Sequence, residues 1–380
     1  MTSHQNTAGQ GAFIPAFEGL RGLLALSIFV FHVVRFCGFH VPLISDGGLR
    51  VDVFIILSGF VIARLRLSRP EPYGVYLRAR AARIYPAYLV ALGLGVMMSG
   101  LISEIYAIIP WEQADQARMV ARAGIEQTYF WPLFLSHLTL LHGIFPENIL
   151  PTSPVAFVGP AWSLSLEWQF YLVAPLLIAA LRSLRFCVVA GILMIGVMWC
   201  VPWIYAQADY GMGAFLPLKL GLFLTGIGTA FLFDVIRRAP VHLLIVGVLA
   251  VMGALMQLSG GWGKPVLPFA IWFAVVIVAA HPDVSWARLA ALFLESRPVL
   301  FLGRVSYGLY IYHSSVYLAV AAGAFILGVR DPFIMLVILM GIALPMALGL
   351  SALSYTYLEK PVMNWAKRYR PASRTICSAT

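Results

Sequence analysis

Ten apolar stretches, each close to the length of a bilayer-crossing helix, constrain what this sequence can fold into. They cover residues 16–36, 49–67, 80–101, 161–181, 186–205, 213–234, 241–258, 265–281, 304–327 and 333–357. About 20 apolar residues in a helix cross the roughly 30 Å hydrocarbon core of a membrane. Lipid offers no partner to an unpaired backbone group, so such segments cross as helices. The sequence therefore predicts an all-α, polytopic integral membrane protein with about ten transmembrane helices.

Composition supports the same class and excludes others. The chain is 61% hydrophobic and only 11% charged, whereas soluble domains have about 45–50% apolar and about 25% charged residues. The net charge of +10 does not indicate a nucleic-acid partner, because membrane proteins collect Lys and Arg in their cytoplasmic loops. The four cysteines have no metal-type or disulfide-type spacing and carry almost no information about function.

Basic residues predict the orientation. Six arginines cluster from the end of the second stretch to the start of the third: Arg64, Arg66, Arg69, Arg78, Arg80 and Arg83. A loop with this charge is expected on the cytoplasmic side. Both termini are then cytoplasmic, and the protein is expected in the cell inner (plasma) membrane. The lipid bilayer is its first expected partner.

One further apolar segment, 129–145, is ambiguous because it contains Pro132, His137 and His142. If it does not cross the membrane, the later basic loops also fall inside, in agreement with the positive-inside rule. We therefore interpret 129–145 as re-entrant or lying at the outer interface. The predicted organisation is a polar cytoplasmic tail at 1–14, a single membrane domain at 15–365 and a basic cytoplasmic tail at 366–380.

The first stretch contains two polar side chains, Arg21 and His32. Their spacing of eleven residues returns to within roughly 20° of one helix face, about 16 Å further along the axis. Ionisable groups inside a span usually face the bundle interior or a wet cavity, so a shared cavity is one interpretation. Snorkelling of Arg21 and simple packing of His32 are the alternative.

The second stretch contains Asp52 near one end and the triplet Ser58, Gly59 and Phe60 near its middle. Gly59 allows two helices to approach closely, which by itself explains the triplet. Alternatively, Ser58 presents its hydroxyl to an internal cavity.

Three more groups are candidates. Arg80 and Arg83 are three residues apart and share a helix face. They either anchor the chain at the cytoplasmic boundary or clamp a phosphate, which arginine pairs bind in a bidentate manner.

Glu167 is a carboxylate inside the fourth stretch, where it either pairs with an arginine or has a function. Tyr307, Tyr310 and His313 form a partly polar stripe, and Glu359 is interpreted as a cytoplasmic salt-bridge partner.

Six of these segments occur in the order typical of one family. They are Arg21 with His32; Ser58-Gly59-Phe60; Arg80-x-x-Arg83 before Ile84-Tyr85-Pro86; Trp162 to Leu172; the segment with Tyr307, Tyr310 and His313; and Glu359-Lys360-Pro361. In this the chain resembles the acyltransferase-3 family of integral membrane acyltransferases, over about residues 15–365. It departs at Trp168, where many members have a second acidic residue, and at Glu18, where aspartate is usual. Some members carry a hydrolase-like domain after the last span, and this sequence resembles the stand-alone form.

The resemblance implies transfer of an acyl group, most often acetyl, from an acyl-coenzyme A to a hydroxyl of a glycan or other hydroxylated acceptor. On this hypothesis His32 is the general base, since its ordinary pKa lies near working pH. Asp52 or Glu167 orients the imidazole, and Arg21 either stabilises the oxyanion or holds part of the coenzyme. Arg80 and Arg83 bind the acyl-CoA, with Ser58 inside the same site. No metal is expected.

A transporter or flippase is the alternative from another class. Buried Arg, His, Asp and Glu also mark proton and substrate paths through membranes, and Lys219 would belong to such a path. Inverted repeats would support transport, but the two halves of the sequence show no obvious hydropathy symmetry.

Overall fold

A computed structural model describes residues 14–41, 47–113, 115–182, 184–259 and 266–369, and within these ranges the regular structure is helical. The helices are α1 (Pro15–Phe36), α2 (Gly47–Ser68), α3 (Tyr73–Ile108), α4 (Gln116–Thr128), α5 (Phe130–Leu138), α6 (Ala161–Arg182), α7 (Leu184–Gln207), α8 (Leu216–Ile236), α9 (Val241–Ser259), α10 (Leu267–Ala280), α11 (Ser285–Leu294), α12 (Arg297–Ile326), α13 (Pro332–Ile338), α14 (Leu344–Ser354) and α15 (Lys360–Lys367).

All ten predicted stretches fall on helices, which confirms the all-α membrane class. Six helices in the described part of the chain are long and apolar enough to cross a bilayer, and α10 with α11, bent by 104°, makes a seventh if counted as one span. The other predicted spans include α2, which contains Asp52 and Arg64 in addition to its apolar residues. The predicted tails, 1–14 and 366–380, lie outside the described residues except at position 14 and at 366–369.

The ambiguous segment 129–145 does not form a span. Its helix α5 has nine residues, which gives a length of about 14 Å, and a short 3₁₀ turn follows at His142–Ile144. His137 and His142 are fully buried and stack with ring centroids 3.7 Å apart at an interplanar angle of 2°. Burial lowers the pKa of His142 to about 3 and holds the pKa of His137 well below its ordinary value.

Two helix pairs approach each other through glycine. Gly22 on α1 and Gly303 on α12 each face the other helix's backbone, and a Cβ at Gly303 would collide with the carbonyl oxygen of Glu18. On the second pair, a Cβ at Gly59 of α2 would collide with the carbonyl oxygen of Phe223 on α8. Small residues permit such backbone contact between membrane helices. They fix α1 against α12 and α2 against α8.

The last helical segment runs continuously from Pro332 to Lys367. It includes two π-helical segments, Leu339–Ala343 and Tyr355–Glu359. Glu359 at the end of the second is only 1% exposed, and its Oε1 accepts a hydrogen bond from Ser354 at 3.2 Å. Glu359 is therefore part of the helix packing, and its hydrogen bond to Ser354 differs from the cytoplasmic salt bridge expected of it.

A buried ion pair holds α4 against the rest of the fold. Arg122 and Glu126 lie one turn apart, with Nε to Oε1 at 2.5 Å and side-chain exposures of 5% and 1%. Glu126 also accepts the backbone N–H of Phe157 at 2.7 Å and the hydroxyl of Ser99 on α3. Glu126 thus joins α4 and α3 to the chain that leads into α6.

Candidate functional site

A cavity of about 310 Å³ lies between α1, α2, α3, α6, α8 and α12. Its volume is at the lower end of the range of small-molecule sites. The polar and charged residues that line it are Arg21, Ser58, Arg80, Arg83, Ser163, Glu167, Tyr171, Ser306, Tyr307 and Tyr310. Five of the seven predicted site residues are therefore around one space: Arg21, Ser58, Arg80, Arg83 and Glu167. His32 and Asp52 are not among its lining residues.

Arg21 reaches the cavity from α1. Its neighbour Gly22 is the point of close contact with Gly303 on α12, so this face of α1 lies directly against α12. The guanidinium of Arg21 donates to Glu18 one turn earlier, at 3.2 Å. Both side chains are partly exposed, at 25% and 16%. Because this single hydrogen bond uses only one of the five N–H donors of the guanidinium, Arg21 retains donors for a ligand in the cavity.

Arg80 and Arg83 enter from α3, one turn apart. The guanidinium of Arg80 lies 5.9 Å from the ring centroid of Tyr171, and that of Arg83 lies 5.9 Å from the ring of Tyr307. Nε of Arg80 is buried without a hydrogen-bond partner among the described residues. The two guanidinium groups are therefore held by aromatic faces, an arrangement that leaves N–H donors available for anion binding.

Glu167 on α6 accepts two hydroxyl hydrogen bonds on one oxygen. Ser58 donates to Oε1 at 2.9 Å, and Tyr171 donates to the same atom at 2.5 Å. Ser58 reaches this position because Gly59, the next residue, brings α2 against α8. Both interpretations of the Ser-Gly-Phe triplet thus describe the structure: the glycine packs a helix pair and the serine faces the cavity.

A hydroxyl pair bounds the cavity at another point of its wall. Ser163 and Tyr310 have their oxygens 2.6 Å apart, and Tyr310 donates to the carbonyl of Pro160 at 3.0 Å. The ring of Phe54 lies 6.1 Å from that of Tyr310 and also lines the cavity. The sequence analysis did not identify Ser163, although its position one turn before Glu167 on α6 is a signal that could have found it.

His32 lies beyond this boundary, next to a second histidine. Its ring centroid is 4.8 Å from that of His313, with the planes inclined at 37°, and Phe31 contacts it edge-on at 4.7 Å. His313 and Tyr310 are one turn apart on α12, with ring centroids 6.2 Å apart. Tyr310 therefore connects the cavity wall with the histidine pair.

Asp52 has a different partner from the one expected. Its Oδ1 lies 2.9 Å from Nζ of Lys219 on α8, so this carboxylate forms an ion pair between α2 and α8. Among the described residues, no group of three or more His, Cys, Asp or Glu side chains is placed to hold a metal ion.

A family model described as an acyltransferase domain matches residues 14–355. The chain is similar to O-acetyltransferase OatA of Staphylococcus aureus (strain NCTC 8325 / PS 47), with 25% identity over 377 residues that cover 92% of this chain and 57% of OatA. It is also similar to acyltransferase MdmB of Streptomyces mycarofaciens, with 26% identity over 338 residues that cover 80% and 79%. No solved structure matches significantly.

A third relative is a putative O-acetyltransferase of Staphylococcus aureus (strain COL), 24% identical over 407 residues that cover 94% of this chain and 60% of that protein. The chain thus spans little more than half the length of OatA and of this relative, and most of the length of MdmB.

Proposed function

The chain belongs to the acyltransferase-3 family, and from this premise we propose that it is a membrane O-acyltransferase. It moves an acyl group, with acetyl as the first choice, from acyl-CoA to a hydroxyl of a carbohydrate or other hydroxylated acceptor. The observation that supports this most directly is the cavity in which Arg21, Arg80 and Arg83 face Glu167. The names of the relatives, two O-acetyltransferases and one acyltransferase, agree with the reaction class.

The donor side of the proposal rests on charge. Three guanidinium groups and one carboxylate line the cavity, so the space has an excess of positive charge. Phosphate groups suit such a site, because arginine binds them through parallel N–H donors. We assign Arg80 and Arg83 to the phosphates of acyl-CoA, with the thioester directed past Ser58 toward Tyr310.

The acceptor side rests on His32. The acceptor oxygen attacks the thioester carbonyl carbon, the C–S bond breaks, and the hydroxyl proton passes to His32 and then to the leaving thiolate. The products are an ester and free coenzyme A. His32 is suited to this step as a general base, and Arg21 or another donor at the cavity stabilises the oxyanion. Because His32 lies outside the cavity wall, the thioester must reach the boundary formed by Ser163 and Tyr310.

Orientation completes the proposal. With the arginine-rich end of α3 cytoplasmic, as the positive-inside rule predicts, the cavity receives donor from the cytoplasm. His32 is then nearer the opposite face, where a glycan acceptor is expected. A single cysteine introduced by Arg238→Cys, in a cysteine-free background, should react with a membrane-impermeant reagent only from the cytoplasmic side of the plasma membrane. Labelling from outside would contradict this orientation.

The decisive experiment measures thiol release. Purified protein in lipid nanodiscs is given acetyl-CoA with and without hydroxylated acceptors, and free coenzyme A is followed together with acceptor mass. Arg80→Ala should raise the KM for acetyl-CoA at least tenfold, whereas His32→Ala should lower kcat by about 10³-fold, leaving a measurable residual rate, without changing donor binding. Arg304→Ala is the matched control, since this arginine is exposed on α12 and does not line the cavity.

Two results would refute the proposal. One is acetyl transfer by His32→Ala at the wild-type rate, with the protein folded as judged by its melting midpoint. The other is the absence of acetyl-CoA turnover by the wild type, together with movement of an intact solute across proteoliposomes. That combination would favour the transporter alternative.

A further inference from the structure

The strongest unassigned feature is the imidazole that faces His32. His313 is fully buried on α12, and its ring centroid is 4.8 Å from that of His32. No hydrogen bond joins the two rings in the structure, but a centroid separation of this size leaves room for one N–H···N hydrogen bond of about 2.7–3.2 Å once the rings turn toward each other. His313 is outside the cavity and has no role in the proposed reaction so far.

The backbone fixes which nitrogen of His313 is protonated. Its Nδ1 lies 2.7 Å from the carbonyl oxygen of Tyr310. A carbonyl oxygen only accepts, so Nδ1 carries the hydrogen, and the neutral ring then has its lone pair on Nε2. Nε2 is buried and has no hydrogen-bond partner among the described residues. A buried acceptor without a partner costs free energy unless some group donates to it.

The carboxylates expected to orient His32 are engaged elsewhere. Asp52 pairs with Lys219 at 2.9 Å, and Oε1 of Glu167 accepts the hydroxyls of Ser58 and Tyr171. In a catalytic triad, the group behind the histidine holds the imidazole in one tautomer and stabilises its charged form. At His32, the neighbouring ring with an available acceptor is His313.

We propose, on the basis of the acyltransferase function above, that His313 is the positioning residue of His32. The carbonyl of Tyr310 holds the proton on Nδ1 of His313, and a small rotation of the two rings lets Nε2 of His313, which has no partner in the described part of the chain, accept the N–H of His32. The other ring nitrogen of His32 then has its lone pair directed at the acceptor hydroxyl. When His32 takes the hydroxyl proton it becomes an imidazolium, and its bond to His313 becomes charge-assisted and stronger. The proton leaves from His32 to the thiolate, so His313 needs no net change of protonation.

The test compares two substitutions that differ in one acceptor atom. His313→Ala removes Nε2, and we expect it to lower kcat about 100-fold, the lower end of what a general base contributes, with the KM for acetyl-CoA unchanged. His313→Gln supplies a side-chain oxygen near the same point, and we expect it to restore kcat to within about tenfold of wild type. Ser314→Ala is the matched control, because it removes a polar atom from the next position of α12.

A double variant separates positioning from packing. His32→Ala with His313→Ala should be no slower than His32→Ala alone, since groups that act as a unit are not additive. The proposal is overturned if His313→Ala keeps the wild-type kcat, or if His313→Gln does not recover the activity lost in His313→Ala. It is also overturned if the loss of kcat in the double variant equals the product of the losses in the two single variants.

A measurement without substrate distinguishes failure of this inference from failure of the acyl-transfer proposal. In ¹⁵N spectra of histidine-labelled protein, His32 should have one tautomer in the wild type and in His313→Gln, and a mixture in His313→Ala. If the wild type has a mixed His32 tautomer, His313 does not position it, whatever the enzyme transfers. If the tautomers behave as expected but no thiol is released from acyl-CoA, the proposed function fails and the histidine pair stands.

Discussion

Replacing Arg122 by methionine tests how much the buried ion pair on α4 contributes to the fold. The substitution keeps an apolar chain of similar length and removes the charge that neutralises Glu126. Breaking a buried ion pair by removing one partner typically costs about 3–5 kcal/mol, because the other charge is left buried. Two features of the structure place the expected loss of stability near the lower end of this range.

The first feature is that Glu126 keeps two other donors, the backbone N–H of Phe157 at 2.7 Å and the hydroxyl of Ser99. Hydrogen bonds to a charged group contribute about 1.5–3 kcal/mol each, so the carboxylate remains partly satisfied. The second is that Nη2 of Arg122 is buried without a hydrogen-bond partner among the described residues, which lessens what the arginine contributes. We therefore expect Arg122→Met to destabilise the protein by about 3 kcal/mol.

Glu126→Leu should be worse, near 5 kcal/mol, because it leaves the arginine, the Phe157 N–H and the Ser99 hydroxyl without their acceptor. The assay is equilibrium unfolding in mixed micelles, with the melting midpoint in nanodiscs as a second measure. Arg118→Met is the matched control: it lies one turn earlier on α4 and breaks a pair with Glu147 in which the arginine is 45% exposed. An exposed pair of this kind contributes about 0–1 kcal/mol. Equal stability of the Arg122 and Arg118 variants would refute the reasoning.

Three further predictions concern the site and its supports. Glu167→Gln should keep both hydroxyl partners but replace two charge-assisted bonds by neutral ones, at about 1 kcal/mol each, and should lower kcat/KM in the thiol-release assay at least tenfold. Gly59→Val should lower stability by about 1–3 kcal/mol through overpacking against Phe223, seen as a lower melting midpoint, whereas Gly228→Ala, with open space at its Cβ, should not. Burial lowers the pKa of His142 to about 3, below its value of about 6.5 in the unfolded chain, so protonation at acid pH favours unfolding. The free energy of unfolding should therefore fall between pH 7 and pH 5, by about 2 kcal/mol at pH 5 from this group. His142→Gln should reduce that fall.

The sequence predicted the helices well because length and hydrophobicity determine a membrane helix locally. Each polar side chain inside an apolar stretch also stood out, which is why Arg21, Ser58 and Glu167 could be proposed together before their common cavity was known. Inside a bilayer such side chains have few places to go except the space between helices. Their roles in catalysis remain proposals.

Partners distant in the chain could not be predicted in the same way. Asp52 and Lys219 are 167 positions apart, and only the packing of α2 on α8 makes them neighbours. Tyr310 was placed on a polar stripe, but Ser163 lies 147 positions away in the chain, so the hydroxyl pair that they form at the cavity boundary was missed. The local sequence also gave no sign that Glu359 would be buried at the end of a π-helical segment.

The glycine contacts described for α1 with α12, and for α2 with α8, have a mechanical consequence. At Gly22 and Gly59 one helix backbone lies directly against another, so at these points no side chain can rearrange to change the distance between the helices. The walls from α3 and α6 include the long side chains of Arg80, Arg83 and Glu167, which have several rotatable bonds and can move without a shift of the backbone. We therefore expect the cavity to widen on the side of α3 and α6 when a ligand enters. The glycine contacts keep His32 and His313 at a constant distance from Arg21.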